Sequence, residues 1–254
     1  MCKGDDKVKA LIVTVAGMSS RFSESLGREC LKCIYYPNDI TESILYRLLH
    51  QPVRFDKYYI VGGFKYEELE KNIEKYFSEY KDKLVLVRND YYSEYGSGYS
   101  LYCGLKKAIE DGCDEIVFAE GDLIVDEKTF VKVSNSEKSV ITSNSEPILA
   151  NKAVAFYYDV KGTIHYIYDT GHSEMFIKEP FIAIYNSGQI WKFTDKVLAK
   201  KAFDSITDDE WKGTNLVFVE RYFSQLGPDE YDNLHFSEWI NCNRIEDFNK
   251  KLEA

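Results

Sequence analysis

Lys9-Ala10-Leu11-Ile12-Val13-Thr14-Val15-Ala16-Gly17-Met18-Ser19-Ser20-Arg21 is an apolar, β-branched run that breaks into small residues and ends on an arginine. A short run of this kind, closed at once by glycine and serine, reads as a buried strand feeding a turn. In open α/β sheets ligands collect outside the carboxyl ends of such strands, so Ala16, Gly17, Met18, Ser19 and Ser20 are the first candidate binding residues. Small side chains let backbone N–H groups approach an anion, and Arg21 adds a planar, permanently charged set of donors. The G-x-G-x-x-G dinucleotide fingerprint is not met, because counting from Gly17 its later glycines fall on Ser19 and Phe22.

Outward from that stretch, strand-like and helix-like runs alternate. Residues 57–61, 83–87 and 115–119 read as strands, and 42–50, 65–78 and 100–109 as helices with one apolar face. Alternation implies crossover units, and the fold class expected is α/β: a Rossmann-like, mostly parallel sheet flanked by helices. The second half changes character. Residues 153–159 and 163–169 are tyrosine-rich runs around Val160-Lys161-Gly162, expected to form a hairpin in a small inserted β-rich lobe. Residues 181–185 follow as a strand, 189–200 as a helix, 216–226 as another helix, 233–241 as extended chain and 245–252 as a closing helix. With no linker or repeat, one domain is expected over 1–254, with a nucleotide-binding half (8–125) and an acceptor-binding half (126–254).

Two further positions carry chemistry. Lys32 lies eleven residues beyond Arg21, where a compact point charge could return over the same anion. Glu120-Gly121-Asp122 ends an apolar strand, and Asp122 is placed to hold Mg²⁺, a hard cation that shares oxygen ligands with phosphates. The four histidines, at 50, 165, 172 and 235, lie outside both stretches.

With Gly17, Arg21, Lys32 and Asp122 in place, the sequence resembles the nucleotidyltransferases that activate phosphorylated small molecules with a nucleoside triphosphate. Their opening motif resembles L-x-A-G-x-G-S-R followed by P-K. Here it stands as Thr14-Val15-Ala16-Gly17-Met18-Ser19-Ser20-Arg21 with Leu31-Lys32, so Thr14, Ser19 and Leu31 depart from it. Asn89-Asp90-Tyr91-Tyr92, Tyr95 and Tyr99-Ser100-Leu101-Tyr102 resemble the bacterial phosphocholine cytidylyltransferases. The likeness extends to the phosphoglutamine cytidylyltransferases of capsule biosynthesis. Trp239-Ile240-Asn241-Cys242-Asn243-Arg244-Ile245-Glu246-Asp247-Phe248 resembles the family's closing segment, in which Asn243 matches the residue that completes the metal site.

The resemblance implies the nucleotidyltransferase fold and transfer of CMP from CTP to a phosphorylated acceptor, phosphoglutamine or phosphocholine-like, with release of pyrophosphate. It implies capsule or surface-polysaccharide modification as the setting. Arg21 and the small-residue loop would hold the triphosphate, Lys32 would neutralise charge at the reacting phosphates, and Asp122 with Asn243 would hold Mg²⁺. Asn89, Ser97, Gly98 and Ser100 would serve the nucleoside. Tyr168, Asp169 and Trp191 are the acceptor candidates, as aromatic and acidic groups that could face an ammonium.

Composition sets the limits. Asp+Glu 42 against Lys+Arg 32 gives a net charge of −10, which argues against a nucleic-acid partner. No apolar run approaches the roughly 18 residues of a membrane span. The polar start, Met1-Cys2-Lys3-Gly4-Asp5-Asp6-Lys7, is unlike a signal-peptide core, so a cytoplasmic protein is expected. Six scattered cysteines read as reduced thiols, the Cys30-x-x-Cys33 pair included. Three rivals remain: a sugar-1-phosphate pyrophosphorylase, a non-catalytic nucleotide-binding regulator, and a Rossmann dehydrogenase. The last would need an acid at a second strand's end where Asp39 instead follows Pro37-Asn38.

Overall fold

The computed structural model describes residues 7–150, 154–167 and 174–250. The first half runs β1 (Lys9–Thr14), α1 (Ser20–Leu26), α2 (Ile44–Leu49), β2 (Lys57–Gly62), α3 (Tyr66–Tyr76), β3 (Leu84–Arg88), α4 (Ser97–Glu110) and β4 (Glu115–Glu120). Then follow β5 (Leu123–Val125), α5 (Glu127–Asn135), β6 (Ser139–Asn144), β7 (Ala155–Asp159), β8 (Ile164–Ile167), β9 (Phe181–Ser187) and β10 (Ile190–Phe193). The chain closes with α6 (Lys196–Asp204), α7 (Asp208–Trp211), α8 (Leu216–Phe223), β11 (Tyr231–His235), β12 (Trp239–Asn241) and α9 (Ile245–Asn249).

One ten-stranded sheet has the order β3-β2-β1-β4-β10-β6-β9-β7-β8, with β11 added beside β6. Strands β1 to β4 pair in parallel, whereas β10 joins β4 antiparallel and β7, β8 and β9 continue antiparallel. The sheet is therefore mixed, with a parallel core. Both faces of the core strands are buried. Along β1, Leu11 and Val13 enter one apolar layer with α1, α2, α3, α5 and α9, while Ala10 and Ile12 enter the other with α4, α6, α7 and α8. Burial on both faces is why β1 reads as a continuous apolar run instead of an alternating one.

The helix expected over 189–200 is a correction. Ile190–Phe193 is a strand, and the helix begins only at Lys196, where the Asp195 carboxylate accepts from the N–H groups of Val197 and Leu198. Ile190, Phe193, Val197 and Leu198 mimic a helical stripe, but Val197 is exposed and Ile190, Trp191 and Phe193 are buried across the two faces of the sheet. A central slot between β4 and β6 overrode local spacing. The extended stretch expected over 233–241 divides between two sheets: β11 pairs with β6, and β12 forms a separate ribbon with β5. The hairpin expected in the second half is present as β7 and β8, paired antiparallel from Ala155↔Ile167 to Tyr158↔Ile164.

Candidate active site

The carboxyl ends of β1 and β4 lie side by side, with Thr14 registered against Glu120. Between them the chain must turn tightly, and Gly121 makes this possible. Its N–H donates to the Thr14 carbonyl at 3.0 Å, and a Cβ there would stand 2.3 Å from Val15 Cγ1 and 2.6 Å from that carbonyl oxygen. Asp122 follows immediately, and its own carbonyl is held by the Cys242 N–H at 2.8 Å, so the closing segment braces the turn.

Lys32 opens a single 3-10 turn, and its Nζ donates to Asp122 Oδ2 at 3.1 Å. Both side chains are mostly buried, 15% and 23% exposed, so the attraction is less screened than on an open surface. The other Asp122 oxygen, Oδ1, is buried and has no hydrogen-bond partner among the described residues. Ser19 links loop and lysine, because its Oγ accepts the Lys32 backbone N–H at 3.4 Å. Ser19 also adopts φ 55°, a left-handed conformation that favours glycine, at the position where the nucleotidyltransferase motif has its second glycine. The backbone shape is kept without that residue.

Glu120, Gly121, Asp122, Lys32 and the loop from Thr14 to Ser19, Met18 excepted, line a cavity together with Tyr92, Tyr95, Gly96, Ser97 and Ser100. Glu120 Oε1 accepts from Asn215 Nδ2 at 2.8 Å, and the Asn215 N–H donates to Ser97 Oγ at 3.2 Å. Burial, with the neighbouring Asp122 charge, pushes the Glu120 carboxyl up to about 7. Burial likewise pushes the Cys33 thiol, also in the wall, up to about 12, so it is neutral and unreactive at neutral pH.

The expected residues fall into distinct groups. Ala16, Gly17, Ser19, Lys32, Asp122, Ser97 and Ser100 meet in this cavity. Asn89 supports it from behind: the residue is buried, its Nδ2 donates to Ser100 Oγ at 3.0 Å, and its Oδ1 accepts the Tyr91 N–H. Met18 and Ser20 lie on the outer side of the loop, in a separate groove with Ser23 and Arg28. Arg21 leaves the loop in another direction. Its Nη2 donates to Asn243 Oδ1 at 2.7 Å, and both residues line a neighbouring cavity with Asn241, Arg244 and Lys250.

Two expectations are corrected. Gly98 is buried, and the space a side chain would need is occupied by the backbone of Trp211 to Thr214, whose Gly213 carbonyl accepts the Gly98 N–H at 2.9 Å. It serves close packing of α4 on that segment and is not open to a nucleoside. Trp191 is fully buried on β10, stacked on Phe118 with ring centroids 5.1 Å apart, and its Nε1 donates to the Tyr166 hydroxyl at 2.6 Å. Its ring belongs to the core, so it cannot meet an acceptor. Tyr168 and Asp169 lie outside the described residues.

Sequence reasoning missed the Asn215–Glu120 bond, and it quoted Tyr92 and Tyr95 without giving them a place in the cavity lining. No local signal marks the former, because the partners are 95 positions apart.

The donor set suits a hard divalent cation. Asp122 Oδ1 is an unpartnered carboxylate oxygen beside Glu120, and no group of three or more His, Cys, Asp or Glu residues gathers among the described residues. A cation here would take most of its ligands from substrate phosphates and water, as Mg²⁺ commonly does.

The fold is that of the nucleotidyltransferases. A CTP:phosphocholine cytidylyltransferase from Streptococcus pneumoniae superimposes with a TM-score of 0.64 at 16% identity, covering 97% of this chain and 98% of that one. An inositol-1-phosphate CTP transferase from T. maritima gives 0.66 at 16% identity, covering 96% and 93%. A structure assigned as a glucose-1-phosphate thymidylyltransferase from Bacillus anthracis gives 0.67 at 13% identity, covering 96% and 93%. No curated protein matches the chain. The chain belongs to the family described as Domain of unknown function (DUF6564), whose model matches residues 28–254.

Proposed function

We propose that this protein is a Mg²⁺-dependent cytidylyltransferase that transfers CMP from CTP to a phosphorylated small acceptor and releases pyrophosphate. The observation that carries the reading is the Lys32–Asp122 pair at the carboxyl ends of β1 and β4, with Asp122 Oδ1 left unpartnered. CTP is favoured over other nucleotides because two of the three similar structures are described as acting with it.

In this reaction an acceptor phosphate oxygen forms a bond to the α-phosphorus of CTP as the bond to the β-phosphate bridging oxygen breaks. The acceptor phosphate has a second pKa of about 6, so at neutral pH it is already largely dianionic and needs no general base. Catalysis then rests on positioning and charge. Ala16, Gly17 and Ser19 cradle the triphosphate, and the Lys32 ammonium neutralises charge where nucleophile and α-phosphate meet. Bound Mg²⁺ would draw the nucleotide phosphates together and offset their charge. Asp122 would hold it through Oδ1. Asn243 is the second candidate ligand, although its oxygen already accepts from Arg21. Arg21, expected to hold the triphosphate, lines the neighbouring cavity with Arg244 and Lys250 and would meet the acceptor there.

The acceptor class proposed is a phosphorylated amino acid or amino alcohol, phosphoglutamine or phosphocholine-like. Among the described residues no helix is long and apolar enough to cross a membrane, and the proposed site of action is the cytoplasm. The test is pyrophosphate release with Mg²⁺, each of CTP, UTP, ATP, GTP and dTTP, and a panel of phosphocholine, phosphoglutamine and sugar 1-phosphates. Turnover only with CTP and an amino acceptor is expected. Turnover with UTP or dTTP and a sugar phosphate would replace the reading by a pyrophosphorylase, and tight nucleotide binding without turnover would replace it by a regulator.

A further inference from the structure

Glu120 is the one acid of the cavity that the reaction above leaves without a task. It lies between the cavity's two ends: two residues before Asp122 on the phosphate side, and tied through Asn215 to Ser97 on the side of α4. This inference rests on the nucleotide reading of the cavity. Phosphates beside Lys32 and Asp122, with the nucleoside toward Ser97 and Ser100 of α4, leave the sugar near Glu120, which Asn215 ties to Ser97.

We propose that Glu120 recognises the ribose of the nucleotide, its carboxylate accepting hydrogen bonds from the vicinal 2′- and 3′-hydroxyls, and so selects ribonucleotides over 2′-deoxyribonucleotides. Three observations support this. First, among the described residues no cation pairs with Glu120, because the nearby lysine is engaged by Asp122, so the acid is not half of a salt bridge. Second, among the described residues its single hydrogen-bond donor is a neutral amide on a residue 1% exposed, which fixes the carboxyl group and leaves lone pairs unused by them. Third, the free lone pairs sit in a half-closed cavity beside a like charge, where neutral O–H donors satisfy them at no further electrostatic cost. A vicinal diol supplies two such donors. Acids at strand ends read ribose hydroxyls in the same way in dinucleotide sites.

The experiment is calorimetric titration of the intact chain at pH 8.5, at several Mg²⁺ concentrations including none and without acceptor, with CTP, UTP, ATP and GTP and with the 2′-deoxy form of each. Wild type, Glu120→Gln and Glu120→Ala are compared, the first variant keeping the shape in case the second folds poorly. Wild type is expected to favour the ribonucleotide by roughly tenfold or more, the usual worth of a charge-assisted hydrogen bond. The preference should shrink in Glu120→Gln and vanish in Glu120→Ala, with the Mg²⁺ requirement unchanged. Equal binding of ribo and deoxy forms by wild type, or a preference that survives in Glu120→Ala, overturns the assignment while leaving the nucleotide site standing. A shifted Mg²⁺ requirement with an unchanged ratio overturns it in favour of a metal ligand. Failure of wild type to bind any nucleotide overturns the nucleotide reading itself.

Discussion

Replacing Lys32 by methionine removes one positive charge and keeps most of the side-chain volume. The ammonium donates at 3.1 Å to Asp122 Oδ2 from a position only 15% exposed, so water replaces it poorly. A charge-assisted hydrogen bond of this kind contributes about 1.5–3 kcal/mol when it acts on the transition state. At 1.36 kcal/mol per tenfold, that is roughly a 10- to 150-fold loss of kcat. Part of the loss arises indirectly, since Asp122 is left with no hydrogen-bond partner on either oxygen among the described residues. The assay is steady-state pyrophosphate release with nucleotide and acceptor varied separately, and a thermal melt confirms that the fold persists. If kcat stays within about twofold of wild type while only the acceptor KM rises, Lys32 binds the ground state and the transition-state role is refuted.

Gly121→Ala places a Cβ 2.3 Å from Val15 Cγ1, and forced overpacking typically costs about 1–3 kcal/mol; a fall of several degrees in Tm with lost turnover is expected, and an unchanged melt would refute the close approach. Trp191→Phe removes the donor to the Tyr166 hydroxyl and should cost about 1–3 kcal/mol of stability while the acceptor KM holds; a selective rise in that KM would return Trp191 to the site. For Glu120→Gln the sign follows from the raised carboxyl, at about 7 in the fold against 4.5 ordinarily. The folded chain holds a proton that the unfolded chain releases, so this group favours folding below pH 4.5 and loses that contribution as pH rises through 7. The variant should therefore gain on wild type by about 1–3 kcal/mol between pH 4.5 and 7.5 in urea melts with chelator, and a constant difference would refute the raised carboxyl.

Local chemistry accounts for much of the agreement between sequence and structure. The β1 run, the small-residue turn and the Glu120-Gly121-Asp122 ending are each contiguous, so their backbone shape follows from nearby residues and strand ends are where α/β sheets place ligands. Residues 189–200 were misread because a strand buried on both faces has no period of its own, and its apolar positions matched a helix by coincidence. Arg21 ends the small-residue turn after β1, yet its direction toward Asn243 depends on a residue 222 positions away.

The sequence alone determined the alternation that makes a parallel core, the loop after β1 and the identity of the charged pair, because each is written in local patterns of size, branching and charge. Only the tertiary structure decided that Lys32 faces Asp122, that Asn215 grips Glu120, that Gly98 and Trp191 are packing residues, and that β10 completes the sheet beside β4. Those outcomes depend on which distant surfaces meet, and burial energy is a property of the meeting, not of either segment alone.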